Sequence, residues 1–361
     1  MRTHLVWDKA PQPGNGRNSE GAFLKAHNGN ILYAYNRYSS DQWGDDASCD
    51  IAMIRSCDEG ETWGEPEIIV HAADFQVENI MSPTGLEQNN GDLAFYFHIK
   101  EHNGTNTFGR AISKDDGFTF ASSRCICDFI QEYYVSNNDR AIRLSDGSIV
   151  IPVAMHSTSG NFADFQKHYM DSNAVSMCLV SLDDGASFTR APARVMLPVS
   201  YNDSGMQEPG LIEKKNGVLW LYARTTCGYQ YQCFSFDGMR TFTPSVPSLF
   251  TSPCSPLKIS RGPDDALYAV YNPIPNYNGR KTARAVGGRT PLVIRKSTDD
   301  GITFGPCNVI ESDEDRGYCY PSMFFTGDES VLVAYCRGSV ADGSCLVRLG
   351  INKINLQDIE G

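Results

Sequence analysis

Six stretches of this chain repeat one arrangement of polar and apolar positions. Each has a polar opening, an apolar run, a tight turn and a second apolar run. They read EGAFLKAHNGNILYAYNR, SPTGLEQNNGDLAFYFH, NDRAIRLSDGSIVIPVAMH, EPGLIEKKNGVLWLYAR, SPLKISRGPDDALYAVYN and YPSMFFTGDESVLVAYCR. Asn-Gly or Asp-Gly between alternating apolar runs is the strongest short-range hairpin signal, because both residues tolerate the positive φ of the turn. Each copy therefore predicts two paired strands. A third apolar segment follows, such as DIAMIRS after the first copy and TPLVIRKS after the fifth. Helical periodicity is scarce.

A second repeat runs out of phase with the first. SCDEGETW starts at Ser56, SKDDGFTF at Ser113, SLDDGASF at Ser181, SFDGMRTF at Ser235 and STDDGITF at Ser297. All fit Ser-x-Asp-x-Gly-x-Thr/Ser-aromatic, except that Met239 replaces the Gly of the fourth box. Spacings of 54 to 68 residues suit a four-stranded propeller blade with variable loops. The box then reads as the turn between the third and fourth strands, its Asp and Ser bonding nearby amides. The sixth copy lacks a box, and the N-terminal HLVW is expected to supply that blade's outer strand and close the ring. The prediction is an all-β, six-bladed β-propeller, one domain over residues 1–361.

This topology separates structure from chemistry. Hairpin turns and boxes share one face. The openings of first strands and the ends of second strands meet near the axis on the other face. The boxes cannot reach that centre, so their repeated Asp residues are expected to be structural. The centre-facing candidates are Glu20, Asp139, Arg140, Glu208 and Tyr320 at strand openings, with Arg37, His98, Arg224, Asn272 and Arg337 at second-strand ends. Long connections between second and third strands in blades one, three and five, YSSDQWGDDASC, STSGNFADFQKHYMDSN and PIPNYNGRKTARAVGGR, carry the irregular sequence that binding loops need. The first is acidic and the last basic, which implies an anionic ligand with an acid nearby.

Bulk composition changes this little. The 361 residues carry 41% hydrophobic and 20% charged residues and a net charge of −12, which argues against nucleic acid or an anionic membrane as partner. No apolar run approaches the roughly 18 residues of a membrane span. The opening MRTHLVWDKAPQPG has no signal-peptide stretch, so a cytoplasmic location is expected, or secretion if a signal was removed. Twelve scattered cysteines read as reduced thiols, and Cys125-Ile-Cys127 lacks the second pair of a zinc site.

The boxes on six blades resemble the sialidase (neuraminidase) superfamily over nearly the whole chain. The resemblance implies an exo-acting glycoside hydrolase that cleaves a terminal acidic sugar, sialic acid or similar, from a glycan or glycoconjugate without a cofactor or metal. By the same resemblance Arg17, Arg224 and Arg289 hold the substrate carboxylate, with Arg37 as an additional arginine. Guanidinium groups suit that task through charge-assisted, often bidentate bonds. Tyr320, with Tyr318 as rival, pairs with Glu208 as nucleophile and base, and Asp41 is the acid/base, with Asp45 and Asp46 as rivals. A tyrosine, neutral until its proton is taken, avoids the repulsion that a carboxylate nucleophile would meet beside an anionic sugar. Two positions depart from the family. Arg17 precedes Asn18-Ser19 rather than Ile-Pro, and Tyr335-Cys336-Arg337 stands where a bracing Glu is common. Two other readings stay open: a uronate-directed lyase or arabinan hydrolase using Glu20, His98 or His156, and a non-catalytic glycan-binding propeller.

Overall fold

A computed structural model describes residues 1–127, 132–156, 158–159, 169–170, 173–277, 280 and 282–361. The blade-three loop expected to bind falls largely outside them, as do three positions of the blade-five loop. Strands dominate, and among the described residues there is no α-helix. No helix among the described residues is long and apolar enough to cross a membrane.

Each hairpin forms the inner half of a blade. Blade one runs Asn18–Lys25, Ile31–Tyr38, Cys49–Ser56 and Glu67–Val70, each strand antiparallel to the last. Blades two, four and five repeat that meander, starting at Ile80–Glu87, Gln207–Glu213 and Lys258–Arg261. Blade six closes the ring: His4–Lys9 pairs with Leu349–Asn355, with Trp7 opposite Ile351, and provides the fourth strand that HLVW predicted. The apolar faces of neighbouring blades pack on one another. Phe23, Tyr33 and Tyr35 of blade one meet Leu332, Ala334 and Ile351 of blade six in one buried cluster. That burial supplies the main driving force. All twelve cysteines are free thiols.

The five boxes share one hydrogen-bond pattern. In the second, Asp115 Oδ1 accepts from Ser113 Oγ and from Thr119 N, both at 2.8 Å, and Ser113 Oγ accepts from Gly117 N at 2.8 Å. The same bonds recur around Asp58, Asp183, Asp237 and Asp299. Hydrogen bonds from Thr119 hold Asp115 down to about 2, and those from Thr303 do the same for Asp299. The box glycine adopts φ near +80°, and Met239 in the fourth box is held at φ 66°, a conformation that only glycine adopts without strain. Boxes also join blades. Asp116 accepts from the amide of His27, Asp184 from that of Asn89 and Asp300 from that of Lys215, each in the hairpin turn of the preceding blade.

Two irregularities place the candidate site. The first strands of blades one, two, four and six each slip register near their openings, between Ser19 and Gly21, Met81 and Thr84, Gln207 and Gly210, and Cys319 and Ser322. At each slip one non-glycine residue has positive φ: Glu20 at 27°, Ser82 at 58°, Glu208 at 46° and Tyr320 at 55°. Bulges re-aim a side chain, and such backbone costs about 1–3 kcal/mol per residue unless its surroundings enforce it. The second irregularity is in blade three. Its first strand is split into Tyr133–Val135 and Ile142–Arg143, which pair with the same neighbour. The six residues 136–141 lie opposite only three, 151–153, so the surplus leaves the sheet and crosses the axis. Asn138 donates to Gly21 O in blade one at 2.7 Å and to Tyr320 O in blade six at 3.3 Å. Asp139 N donates to Pro83 O in blade two at 3.1 Å, and Arg140 Nη2 to Leu257 O beside blade five at 2.7 Å. This segment plugs the bore.

Candidate active site

On the face opposite the boxes, a cavity of about 160 Å³ is lined by all four bulge residues, Glu20, Ser82, Glu208 and Tyr320. Strand-end residues His98, Lys100 and Arg224 complete much of the wall, with Asp45 from the blade-one loop and Ser136 and Asn137 from the plug.

Blades four and six meet at Tyr320. Its hydroxyl lies 3.3 Å from Glu208 Oε1, across the bore from the strand that carries Glu208. Arg224 Nη1 is 3.1 Å from Glu208 Oε2 and 3.5 Å from Tyr320 Oη. The Arg289 guanidinium stacks 5.6 Å from the centre of the Tyr320 ring. Burial pushes the Tyr320 phenol well up, and the Glu208 charge adds to this, while Arg224 and Arg289 pull it down. The arginines therefore stabilise a phenolate once a base has taken the proton.

Blade one builds the opposite wall. Arg17 is 1% exposed and donates all round: Nη2 to both oxygens of Glu20 at 2.7 and 2.9 Å, Nη1 to Asp45 Oδ1 at 2.6 Å and to Trp43 O at 3.1 Å, and Nε to Ser19 Oγ at 2.8 Å. Asn36 Nδ2 and Ser19 Oγ also donate to Glu20. Burial would raise the Asp45 carboxyl, but Arg17 and then Lys100 outweigh it and hold Asp45 below the usual range. Its side chain keeps 62% of its surface exposed, so solvent weakens that pair.

Blades two and three add a neutral imidazole. His98 Nε2 accepts from Ser136 N at 2.7 Å, which puts the ring proton on Nδ1. Burial, with Lys100 nearby, pushes His98 down to about 3, so it stays uncharged. His98 Nδ1, Asn106 Oδ1 and Asn137 Nδ2 have no hydrogen-bond partner among the described residues, and all three residues line the cavity. No group of side chains suited to a metal occurs among the described residues.

The structure thus brings Glu208, Tyr320 and Arg224 together and sets Arg289 behind the tyrosine. It does not bring in the rest of the sequence-derived set. Asp41 lies on the exposed loop, outside the cavity lining, where its carboxylate accepts from Gly14 N at 2.7 Å. Asp45 reaches the cavity in its place, because Arg17 draws it inward, and Asp46 turns to Lys100. Arg37 is also outside the lining. Strand alternation points its neighbour Asn36 to Glu20 instead. Tyr318 is fully buried against Tyr335. Arg17 is close by but occupied, so the three arginines do not form one open clamp. Lys100, Asn106, Tyr133 and the plug residues Ser136 and Asn137 were missed, whereas Asp139 and Arg140, expected at the centre, lie in the plug but outside this cavity's lining. Nothing in the repeat pattern marks the missed residues.

A family profile described as a BNR repeat-like domain matches residues 18–333. No curated protein matches the sequence. Among solved structures, a protein of unknown function from Dyadobacter fermentans is similar with a TM-score of 0.71 at 18% identity, over 98% of this chain and 99% of that one. A Hadza microbial sialidase gives 0.73 at 16% identity, over 95% of this chain and 66% of that one. A leech intramolecular trans-sialidase, solved with 2,7-anhydro-Neu5Ac, gives 0.71 at 12% identity, over 99% and 71%. At these identities the likeness is one of fold.

Proposed function

From a chain that belongs to the BNR repeat-like domain family, we propose a retaining, sialidase-type glycoside hydrolase acting on a terminal acidic sugar. The observation that carries this reading is the Tyr320–Glu208 contact at 3.3 Å with Arg224 beside both. In the first step Glu208 takes the phenolic proton as Tyr320 Oη attacks the anomeric carbon. The glycosidic bond breaks and Asp45 protonates the leaving oxygen. In the second step Asp45 takes a proton from water, which attacks the same carbon, and Tyr320 leaves and recovers its proton from Glu208. Two displacements give net retention. Arg224 and Arg289 offset the charge of the phenolate and of an acidic substituent.

One observation favours a second reading in which the sugar is not sialic acid. Arg17, which the resemblance assigned to the substrate carboxylate, is already held by both oxygens of Glu20. An acidic sugar bound mainly through Arg224, such as a uronide, does not need Arg17 and shares Arg224 with Glu208, which holds it through Nη1 at 3.1 Å. Assay on aryl glycosides, a sialoside and a uronide side by side, with product stereochemistry followed by NMR, tests both. Retained configuration on either supports the proposal, and inactivity on all acidic sugars refutes it.

A further inference from the structure

Behind the plug the bore opens again. A second cavity, of about 360 Å³, runs toward the box face along the first strands of blades three, four and five. Its rim cations are matched: Arg143 meets Asp184 and Arg261 meets Asp300, both at 2.6 Å. Its inner end is not. Lys258, 7% exposed, pairs with Asp139 at 2.9 Å. Arg140 is 2% exposed, yet its only bonded guanidinium nitrogen is Nη2, on Leu257 O at 2.7 Å. Arg140 Nε and Nη1 have no partner among the described residues. The Tyr222 ring lies 5.9 Å from that guanidinium and offers only a weak π-face.

A buried guanidinium with unmatched donors is strongly unfavourable unless an acceptor meets them. Asp139 does not serve both cations: its Oδ2 is shared between Lys258 and Met323 N at 3.2 Å, and among the described residues Arg140 Nε and Nη1 meet no acceptor. Burial lowers the Lys258 ammonium despite Asp139, and Arg140 pushes it the same way, so one added negative charge relieves both cations. We propose that this second cavity is a binding site for a tetrahedral inorganic oxyanion, phosphate or sulfate, held by Arg140 and Lys258. Arginine and lysine donors of this kind favour such anions through charge-assisted bonds. The site is separate from the catalytic cavity but touches its support. Arg140 and Asp139 belong to the plug, whose Asn138 bonds Tyr320 O. An anion there braces the backbone that holds the tyrosine bulge.

Thermal unfolding of the full chain in sodium sulfate, against sodium chloride at equal ionic strength, tests the site. A saturable rise in Tm at millimolar sulfate is expected for the wild type and for Arg224→Ala. It should vanish in Arg140→Met and weaken in Lys258→Met. The general stabilisation by sulfate at high concentration is not saturable and does not depend on one arginine. Crystals of the wild type soaked in tungstate should show anomalous density beside Arg140, which decides the matter even if Arg140→Met fails to fold. The proposal is overturned by density only at Arg224 and Arg289, by none in the bore, or by a Tm rise equal in chloride or unchanged in Arg140→Met.

Discussion

Glu20, in the wall of the cavity, grips Arg17 behind it through both of its carboxylate oxygens, at 2.7 and 2.9 Å. Removing one partner of a buried ion pair leaves the other charge uncompensated, at about 3–5 kcal/mol. Glu20→Ala should therefore lower Tm sharply, less than fully because Asp45 still meets Nη1. Acetate or a sugar acid should restore part of the loss by taking the vacated place. Unfolding scans with and without acetate check this, and an unchanged Tm in the variant would mean that the pair carries no weight.

Tyr320→Phe removes the hydroxyl that reaches Glu208 in the cavity. Turnover should fall to background while the circular dichroism spectrum and Tm stay near wild type. Glu208→Gln should cost a factor on the order of a hundred or more through loss of the base. Trapping with a fluorinated acidic glycoside, followed by peptide mass analysis, should label Tyr320 in the wild type. A label on another residue would reassign the nucleophile.

Asp45 has its carboxyl held below the usual range by Arg17 and Lys100, so in the free protein it is ionised at neutral pH and unable to donate. A general acid works only when protonated. kcat/KM for glycosides with poor leaving groups should therefore rise as pH falls through the acidic range, whereas activated aryl glycosides should show a flatter profile. Asp45→Asn should erase that difference between leaving groups, and Asp41→Asn should leave it in place. Parallel pH profiles of the three proteins would reveal the opposite outcome at once.

The box aspartates supply stability that depends on pH in the other sense. Their carboxyls are depressed in the fold, Asp115 and Asp299 to about 2 from an ordinary 3.8. The contribution is complete above the unfolded value and is lost as pH falls from about 4 to about 2. Acid unfolding should have its midpoint in that window. Asp115→Ala should lower Tm by a few degrees and remove part of the pH dependence, with kcat per folded molecule unchanged. A hundredfold loss of activity at constant Tm would show that the box is not merely a turn.

The fold was legible from local signals because a propeller is assembled from them. A hairpin turn, a box turn and period-two alternation each act over fewer than a dozen residues, and six repetitions leave one closed arrangement. The closing strand His4–Lys9 was legible because the sixth copy lacked its own. Glu208, Arg224 and Tyr320 were reachable by counting along strands, since strand openings and ends map to the axis in a meander. What the sequence by itself could not determine is how those residues divide the centre among themselves. Asp41, Asp45 and Asp46 are equivalent as loop carboxylates, and only the position of the Arg17 guanidinium selects Asp45. Arg17 itself reads as a free cation until the fold sets Glu20 three residues away against it, at a bulge with φ 27°. The plug at 136–141 was decided wholly by tertiary structure. Its bonds join residues 56 to 182 positions apart, across an axis that exists only after the ring has closed.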